Sequence, residues 1–282
     1  MTRIAVIGLV GESVFLGVDH HHAEGETLHA ESIHREWGGK GYNQAVAAAR
    51  FGAEVAFLGA ASGSDGDAII AAARADGIRA VIAKKSVATA YGVIITDKVG
   101  DNRVTVFGGA ALDQSDVGCF AREIEAADLL LINNEVPEGV NVEAVKIAKA
   151  AGVKIVYNPA PAREICEYLL TNTDIFIPNE QESEALGERD NVIVTLGARG
   201  AYIRWMDAAV PAFAPAAVVD TTGAGDTFTG AFSVAFAEGK DTLDAVRLAS
   251  AASSIEVSRR FVMAAIPKRA EAEALLGGIK VY

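Results

Sequence analysis

The strongest chemical signal in this sequence is the stretch VVDTTGAGDTFTGAF, residues 218–232. Three small residues, Gly223, Ala224 and Gly225, precede a predicted helix that opens with Asp226, Thr227 and Phe228. A backbone without bulky side chains lets a ligand approach its N–H groups, with the positive end of a helix dipole behind them. Such a turn is an anion hole. An aspartate inside it can accept a proton from a hydroxyl while the N–H groups stabilise charge on a transferring phosphoryl group. Aspartate at a helix start is equally ordinary capping chemistry, and the tetrapeptide alone favours that reading. Asp220, on the other side of the TTGAG turn in an apolar setting, turns the reading toward function.

A second stretch, WGGKGYNQAVAAARFGA at residues 37–53, surrounds Lys40 with Gly38, Gly39 and Gly41, and then opens an Ala-rich helix with Asn43 and Gln44. Glycine-rich turns before helices are often only tight connections. This one also presents a lysine and an amide, both suited to hydrogen-bonding sugar hydroxyls. It is no Walker A loop, because Lys40 is followed by Gly41 and Lys240 by Asp241, and the N-terminal GLVGES does not match the dinucleotide fingerprint GxGxxG.

The elements that must position these turns follow a repeating pattern. Short apolar runs at residues 3–8, 54–59, 128–133, 153–157, 174–177 and 191–196 read as buried strands. Helical patterns at 61–77, 142–151, 163–170 and 179–186 lie between them, and helices at 225–238, 242–257 and 269–276 fill the last third. Uniformly apolar strands alternating with helices predict an α/β fold whose parallel sheet is covered on both faces. Residues 14–37 and 89–107 break the rhythm with alternating, β-branched, turn-rich sequence. They predict a small accessory β-sheet that acts as a lid over a ligand site. The expected organisation is one domain over residues 1–282, with the lid formed by about 12–37 and 88–109.

GGKGYNQA near the N-terminus and DTTGAGDTF near the C-terminus together resemble the two signatures of the ribokinase-like sugar kinases, the phosphofructokinase B type. NPAPA at 158–162, PNEQESEALG at 178–187, TLGARGA at 195–201, EGETL at 24–28 and NNEVP at 133–137 also resemble that family, so the likeness covers nearly the whole chain. It implies a Rossmann-like, mostly parallel sheet flanked by helices, with a small β-sheet lid. It implies ATP-dependent phosphorylation of a hydroxymethyl group of a small sugar, ribose being the first candidate. Asp226 would be the general base, with Gly223, Ala224 and Gly225 as the anion hole. Gly39, Lys40, Asn43, Glu135 and Ser13 would face the sugar. Asn179 and Glu182 would act near magnesium-bound phosphates, and Thr195, Gly197 and Ser250 would line the nucleotide site. Asp220 would help to hold a monovalent cation, usually potassium. This division suits phosphoryl transfer, which needs positioning and charge neutralisation more than covalent chemistry.

Two segments depart from the family pattern. The first strand commonly ends in G-S-x-N-x-D, whose Asp binds sugar hydroxyls, whereas this chain has Gly11 for the Asn and Ser13 for the Asp. The carboxylate is lost unless Glu12 reaches in. Its absence costs about 1.5–3 kcal/mol of charge-assisted hydrogen bonding. Near the C-terminus, Phe261-Val262-Met263 stands where a Gly-Ala pair is usual, in a region that shapes the cation site of relatives. A nucleoside kinase or other sugar kinase of the same fold therefore stands as an alternative, as does a sugar- or nucleotide-binding sensor without turnover.

Composition bounds the rest. The 282 residues carry 37 acidic and 25 basic side chains, a formal charge of −12 that argues against a nucleic-acid or anionic-membrane surface. A phosphate held by backbone N–H groups needs no such basic excess. No apolar run reaches the ~18 residues of a membrane span. The two cysteines, Cys119 and Cys166, have no metal-like spacing and read as packing residues in a reducing cytoplasm. All five histidines lie between His20 and His34 and predict an exposed lid turn rather than a metal cluster. Open lid edges predict a homodimer through the lid.

Overall fold

The computed structural model describes residues 1–278. The chain begins with strands β1 (Arg3–Ile7), β2 (Gly11–Gly17) and β3 (Ser32–Gly38), helix α1 (Lys40–Arg50), β4 (Glu54–Ser62), α2 (Gly66–Ala75), β5 (Ile78–Lys85), β6 (Ala90–Thr96) and β7 (Asn102–Phe107). It continues with α3 (Gln114–Val117), α4 (Ala121–Glu125), β8 (Leu129–Asn133), α5 (Glu138–Ala151), β9 (Lys154–Asn158), α6 (Glu167–Asn172), β10 (Ile175–Phe176) and α7 (Glu180–Ser183). Strands β11 (Ile193–Thr195), β12 (Ala201–Ile203) and β13 (Ala208–Val210) follow, and helices α8 (Ala224–Ala237), α9 (Thr242–Glu256) and α10 (Arg269–Leu276) come last.

Six strands form one parallel sheet in the order β10-β9-β8-β1-β4-β5. Alternation along β1 sends Ile4 and Val6 to one face and Ala5 and Ile7 to the other, and each pair joins a different hydrophobic core. Helices α1, α8 and α9 cover the first face with residues such as Val46, Phe232 and Leu248, while α5 covers the second with Val140, Ala144 and Val145. Burial on both faces explains why these strands are apolar throughout.

A four-stranded sheet, β3-β2-β6-β7, stands apart from the central one. Its β2–β3 and β6–β7 pairs are antiparallel and its β2–β6 pair is parallel. Thus the two β-rich segments of the sequence meet in one sheet although an α/β portion separates them.

Several local expectations are corrected. The strand expected at 191–196 does not continue the α/β alternation. Its residues Ile193–Thr195 start an antiparallel meander with β12 and β13, while the parallel bridges Phe176↔Val192 and Asn179↔Thr195, with Asn191 Nδ2 donating to the Thr173 carbonyl at 2.9 Å, tie that region to the parallel strands before it. Strands of three residues are too short to show a hydrophobic period. The helix expected at 163–170 begins only at Glu167, after Cys166 in extended conformation. The one expected at 179–186 breaks into the short α7 and a 3-10 turn over Glu184–Leu186. Cys119 is exposed rather than packed. In the histidine-rich connection, His20 and His22 are exposed as expected, but His21 is not. Its side chain is 8% exposed, with Nε2 3.7 Å from Asp97 and 3.6 Å from Asp101 of the β6–β7 turn.

Candidate active site

The site gathers at the carboxyl ends of the parallel strands, where open α/β sheets usually bind ligands. Helix α1 starts there because Gly8, just past β1, lets Gly41 approach closely. A Cβ on Gly41 would fall 2.5 Å from the Gly8 Cα. That contact sets Lys40 and Asn43 beside the ends of β1 and β8. The lid sheet faces them across a cavity of about 300 Å³. Ser13, Gly39, Lys40, Asn43 and Glu135 all line it, together with Gly223 and Asp226. These are all five residues expected at the sugar and the expected base.

Asp226 is the third residue of α8, whose N-cap is Gly223, so it does not cap the helix. Its carboxylate is 5% exposed and turns to two amides of α1 instead. Asn43 Nδ2 donates to it at 2.8 Å and Gln44 Nε2 at 3.0 Å. Gln44 Nε2 also donates to Asn158 Oδ1 at 2.9 Å, linking the end of β9 to the same network. Asn43 Oδ1 has no partner among the described residues. A ligand hydroxyl in the cavity would satisfy that acceptor.

Charges around Asp226 reinforce one another. The Lys40 ammonium is held above its ordinary value, chiefly by the Asp226 charge. Glu135 Oε2 accepts from the Lys40 backbone N–H at 2.6 Å. Burial first, then the Asp226 charge, pushes the Glu135 carboxyl up to about 7, so it changes protonation in the physiological range.

The turn before α8 has an anion hole's backbone form. Gly223 adopts φ 90°, the left-handed region that glycine enters without strain. A Cβ there would fall 2.6 Å from Val262 Cγ1 and 3.0 Å from Glu256 Oε1. The first N–H groups of α8 have no intrahelical acceptor, and no side chain caps them. Asp220 Oδ1 accepts from Thr222 N–H at 2.9 Å and shapes the turn. Behind it, Glu256 is fully buried, and neither of its carboxyl oxygens has a partner among the described residues. Burial first, and then Asp220, Asp226 and Glu36, push that carboxyl up to about 9. Phe261 also has a left-handed φ of 65°, a conformation rare for a residue with a bulky side chain. Here the ring is held by stacking on His34, with centroids 3.8 Å apart.

A smaller cavity of about 70 Å³ adjoins Asp226 on its other side. Lys40, Asn179, Glu182, Thr195 and Gly225 line it. Asn179 and Glu182 form a reciprocal capping box on α7: Glu182 N–H donates to Asn179 Oδ1 at 2.8 Å, and Asn179 N–H to Glu182 Oε2 at 2.9 Å. Gly197, Ser250, Ala224 and Asp220 line neither of these two cavities. Gly197 opens the turn after β11, and Ser250 is buried on α9 with its hydroxyl unpartnered among the described residues.

The model of the pfkB family carbohydrate kinases matches residues 1–269. The chain belongs to that family. It is 36% identical to the ribokinase of Bacillus subtilis over 98% of this chain and 100% of that one. It is 37% identical to a bifunctional ribokinase/ribose-5-phosphate isomerase A of Fructilactobacillus sanfranciscensis, over 99% of this chain but only 56% of that longer protein. Among solved structures, Arabidopsis thaliana ribokinase complexed with ribose and ATP superposes with a TM-score of 0.85 at 27% identity, covering 98% of this chain and 99% of that one.

Four residues of this kinase's site have no counterpart among the expected ones: Gln44, Asn158, Glu36 and Glu256. Gln44 adjoins Asn43 in the motif, and NPAPA contains Asn158, so proximity to a signature was a usable signal for both. Glu36 and Glu256 gave none. Glu12 lines the cavity beside Ser13, but its carboxylate is engaged by Arg35 Nη1 at 3.0 Å, and alternation along β2 sends it to the face opposite Ser13.

Proposed function

We propose that this chain is an ATP-dependent kinase that phosphorylates the hydroxymethyl group of a small sugar, ribose being the first candidate. The observation that carries this reading is Asp226: a buried carboxylate oriented by two amides, beside a helix start that no side chain caps, on the wall of a sugar-sized cavity. The ribose- and ATP-bound relative supports the choice of substrates.

In the proposed reaction the sugar hydroxyl attacks the γ-phosphorus of ATP as its bond to the β-bridging oxygen breaks. Asp226 takes the hydroxyl proton, and ADP leaves. Asn43 and Gln44 hold the carboxylate in place, so little reorganisation is needed at the moment of transfer. The backbone of Gly223, Ala224 and Gly225 carries the charge on the transferring group, and Lys40 offsets the negative charge that gathers around Asp226. Gly39, Lys40, Asn43, Glu135 and Ser13 bind the sugar. Thr195, Gly197 and Ser250 serve the nucleotide side. Closing the lid over the cavity excludes water from the transfer.

Two ions fit residues of the site. The oxygens of Asn179 and Glu182 suit magnesium, which would neutralise phosphate charge. Asp220 and the two partnerless oxygens of Glu256 suit a hard cation such as potassium beside the anion hole, where it would supply positive charge behind the turn. The acidic net charge supports no nucleic-acid partner, and no described helix is long and apolar enough to cross a membrane. Two free cysteines support a cytoplasmic site of action.

Release of ADP, measured with ribose, other pentoses, hexoses and nucleosides, tests the reading. Turnover on a sugar is expected; turnover on nucleosides alone, or binding without turnover throughout, would overturn it. We also propose a homodimer through the lid, because Ile33, Val104, Val106 and Phe107 leave its β3 and β7 strands with exposed apolar side chains. Light scattering is expected to give twice the chain mass, and a monomer at micromolar concentration would count against it.

A further inference from the structure

The lid brings a carboxylate to the cavity from a strand where no motif announced one. The β2–β3 register sets Glu36 directly opposite Ser13. Directly opposed residues of an antiparallel pair project from the same face, so the two side chains are neighbours. Both line the 300 Å³ cavity with Lys40, Asn43 and Asp226. Glu12, one position along β2, is turned away to Arg35.

Glu36 is held firmly. Its side chain is 7% exposed. Oε1 accepts from Val262 N–H at 2.9 Å, Oε2 from Met263 N–H at 3.3 Å, and His34 Nε2 lies 3.1 Å from Oε2. These contacts fix the carboxylate without saturating it, because two carboxylate oxygens offer about four acceptor positions. A fixed acceptor with spare lone pairs on a cavity wall is suited to sugar hydroxyls and adds little entropy cost on binding. Val262 also packs against the Gly223 position, so the same carboxylate braces the wall of the anion hole.

Resting on the sugar-kinase reading above, we propose that Glu36 is a sugar-binding, specificity-determining residue. It accepts hydrogen bonds from ring hydroxyls at the corner where Ser13 offers only a hydroxyl. The carboxylate of the lid has in effect crossed from β2 to its partner strand.

Isothermal calorimetry on the full chain tests this with whichever of ribose, 2-deoxyribose and fructose binds most tightly, and separately with ATP. Glu36→Gln is expected to weaken sugar binding about tenfold or more, the effect of losing a charged acceptor, while ATP affinity stays within about twofold. Adding Ser13→Asp to that variant is expected to recover most of the lost sugar affinity, since it restores a carboxylate to the same corner. Unchanged sugar affinity in Glu36→Gln would overturn the proposal. So would equal losses for sugar and ATP without rescue by Ser13→Asp, which would mark Glu36 as a brace for Val262 and Met263 only. A wild-type chain that binds none of the three sugars would overturn the sugar-kinase reading itself, and this proposal with it.

Discussion

Asp226→Asn is expected to lower turnover by about 10²–10⁴, the range for loss of a general base. Substrate affinity should stay within a few-fold. The local network explains why the variant should remain well ordered. An amide at position 226 puts one new donor opposite Asn43 Nδ2 or Gln44 Nε2, and both of those side chains have an unpartnered oxygen. A flip of Asn43 turns its Oδ1 toward the new donor. Gln44 is less free to flip because its Nε2 also serves Asn158. The change therefore removes proton acceptance while leaving the site hydrogen-bonded. Steady-state kinetics with the best sugar decides the point, and turnover within threefold of the wild type would remove Asp226 from the role of base.

The second large effect concerns stability. Glu256 is fully buried without a hydrogen-bond partner among the described residues, and its carboxyl is pushed from an ordinary 4.5 up to about 9. The folded state thus keeps a proton that the unfolded chain releases above about 4.5. The stability this group contributes is fully present below that value and is lost as pH rises toward 9. By pH 8 the loss is on the order of 5 kcal/mol, from 1.36 kcal/mol per unit of pH between about 4.5 and 8. Glutamine cannot ionise, so Glu256→Gln should flatten the decline. Thermal melts at pH 5 and pH 8 in tetramethylammonium buffer are expected to show a fall in Tm for the wild type that is much smaller in the variant. Parallel profiles would show that Glu256 titrates normally. Repeating the melts in potassium separates the proton from the ion: a cation bound by Glu256 favours the charged carboxylate and should shrink the wild-type decline.

Much of the site was legible because its parts are local. The Gly-Lys-Gly and Gly-Ala-Gly turns each specify their own backbone, and each delivers its functional side chain within a few residues of the turn. Lys40, Asn43 and Asp226 could therefore be read from short segments, and they do share one cavity. The capping alternative for Asp226 could not be resolved at that level. Capping depends on where the carboxylate points, and amides more than 180 positions earlier in the chain decide it. The short strands β12 and β13 were illegible for a different reason, since three residues show no period.

Glu36 and Glu256 mark the boundary between the two kinds of information. The sequence by itself determined the parallel α/β alternation and the two glycine-rich turns, since these depend on residue type and near neighbours; the missing carboxylate at Ser13 stands out only against the family pattern. The alternation of β2 in the folded sheet puts Glu12 and Ser13 on opposite faces. Only the tertiary structure decided that Glu36 stands opposite Ser13, because register arises from pairing two strands joined by an irregular connection. Only it decided that Glu256 has no partner among the described residues, because burial and hydrogen bonding belong to the packed assembly of α9, the Gly223 turn and the segment after α9. Chemistry that a short segment builds can be read along the chain; chemistry that depends on what lies across from a residue cannot.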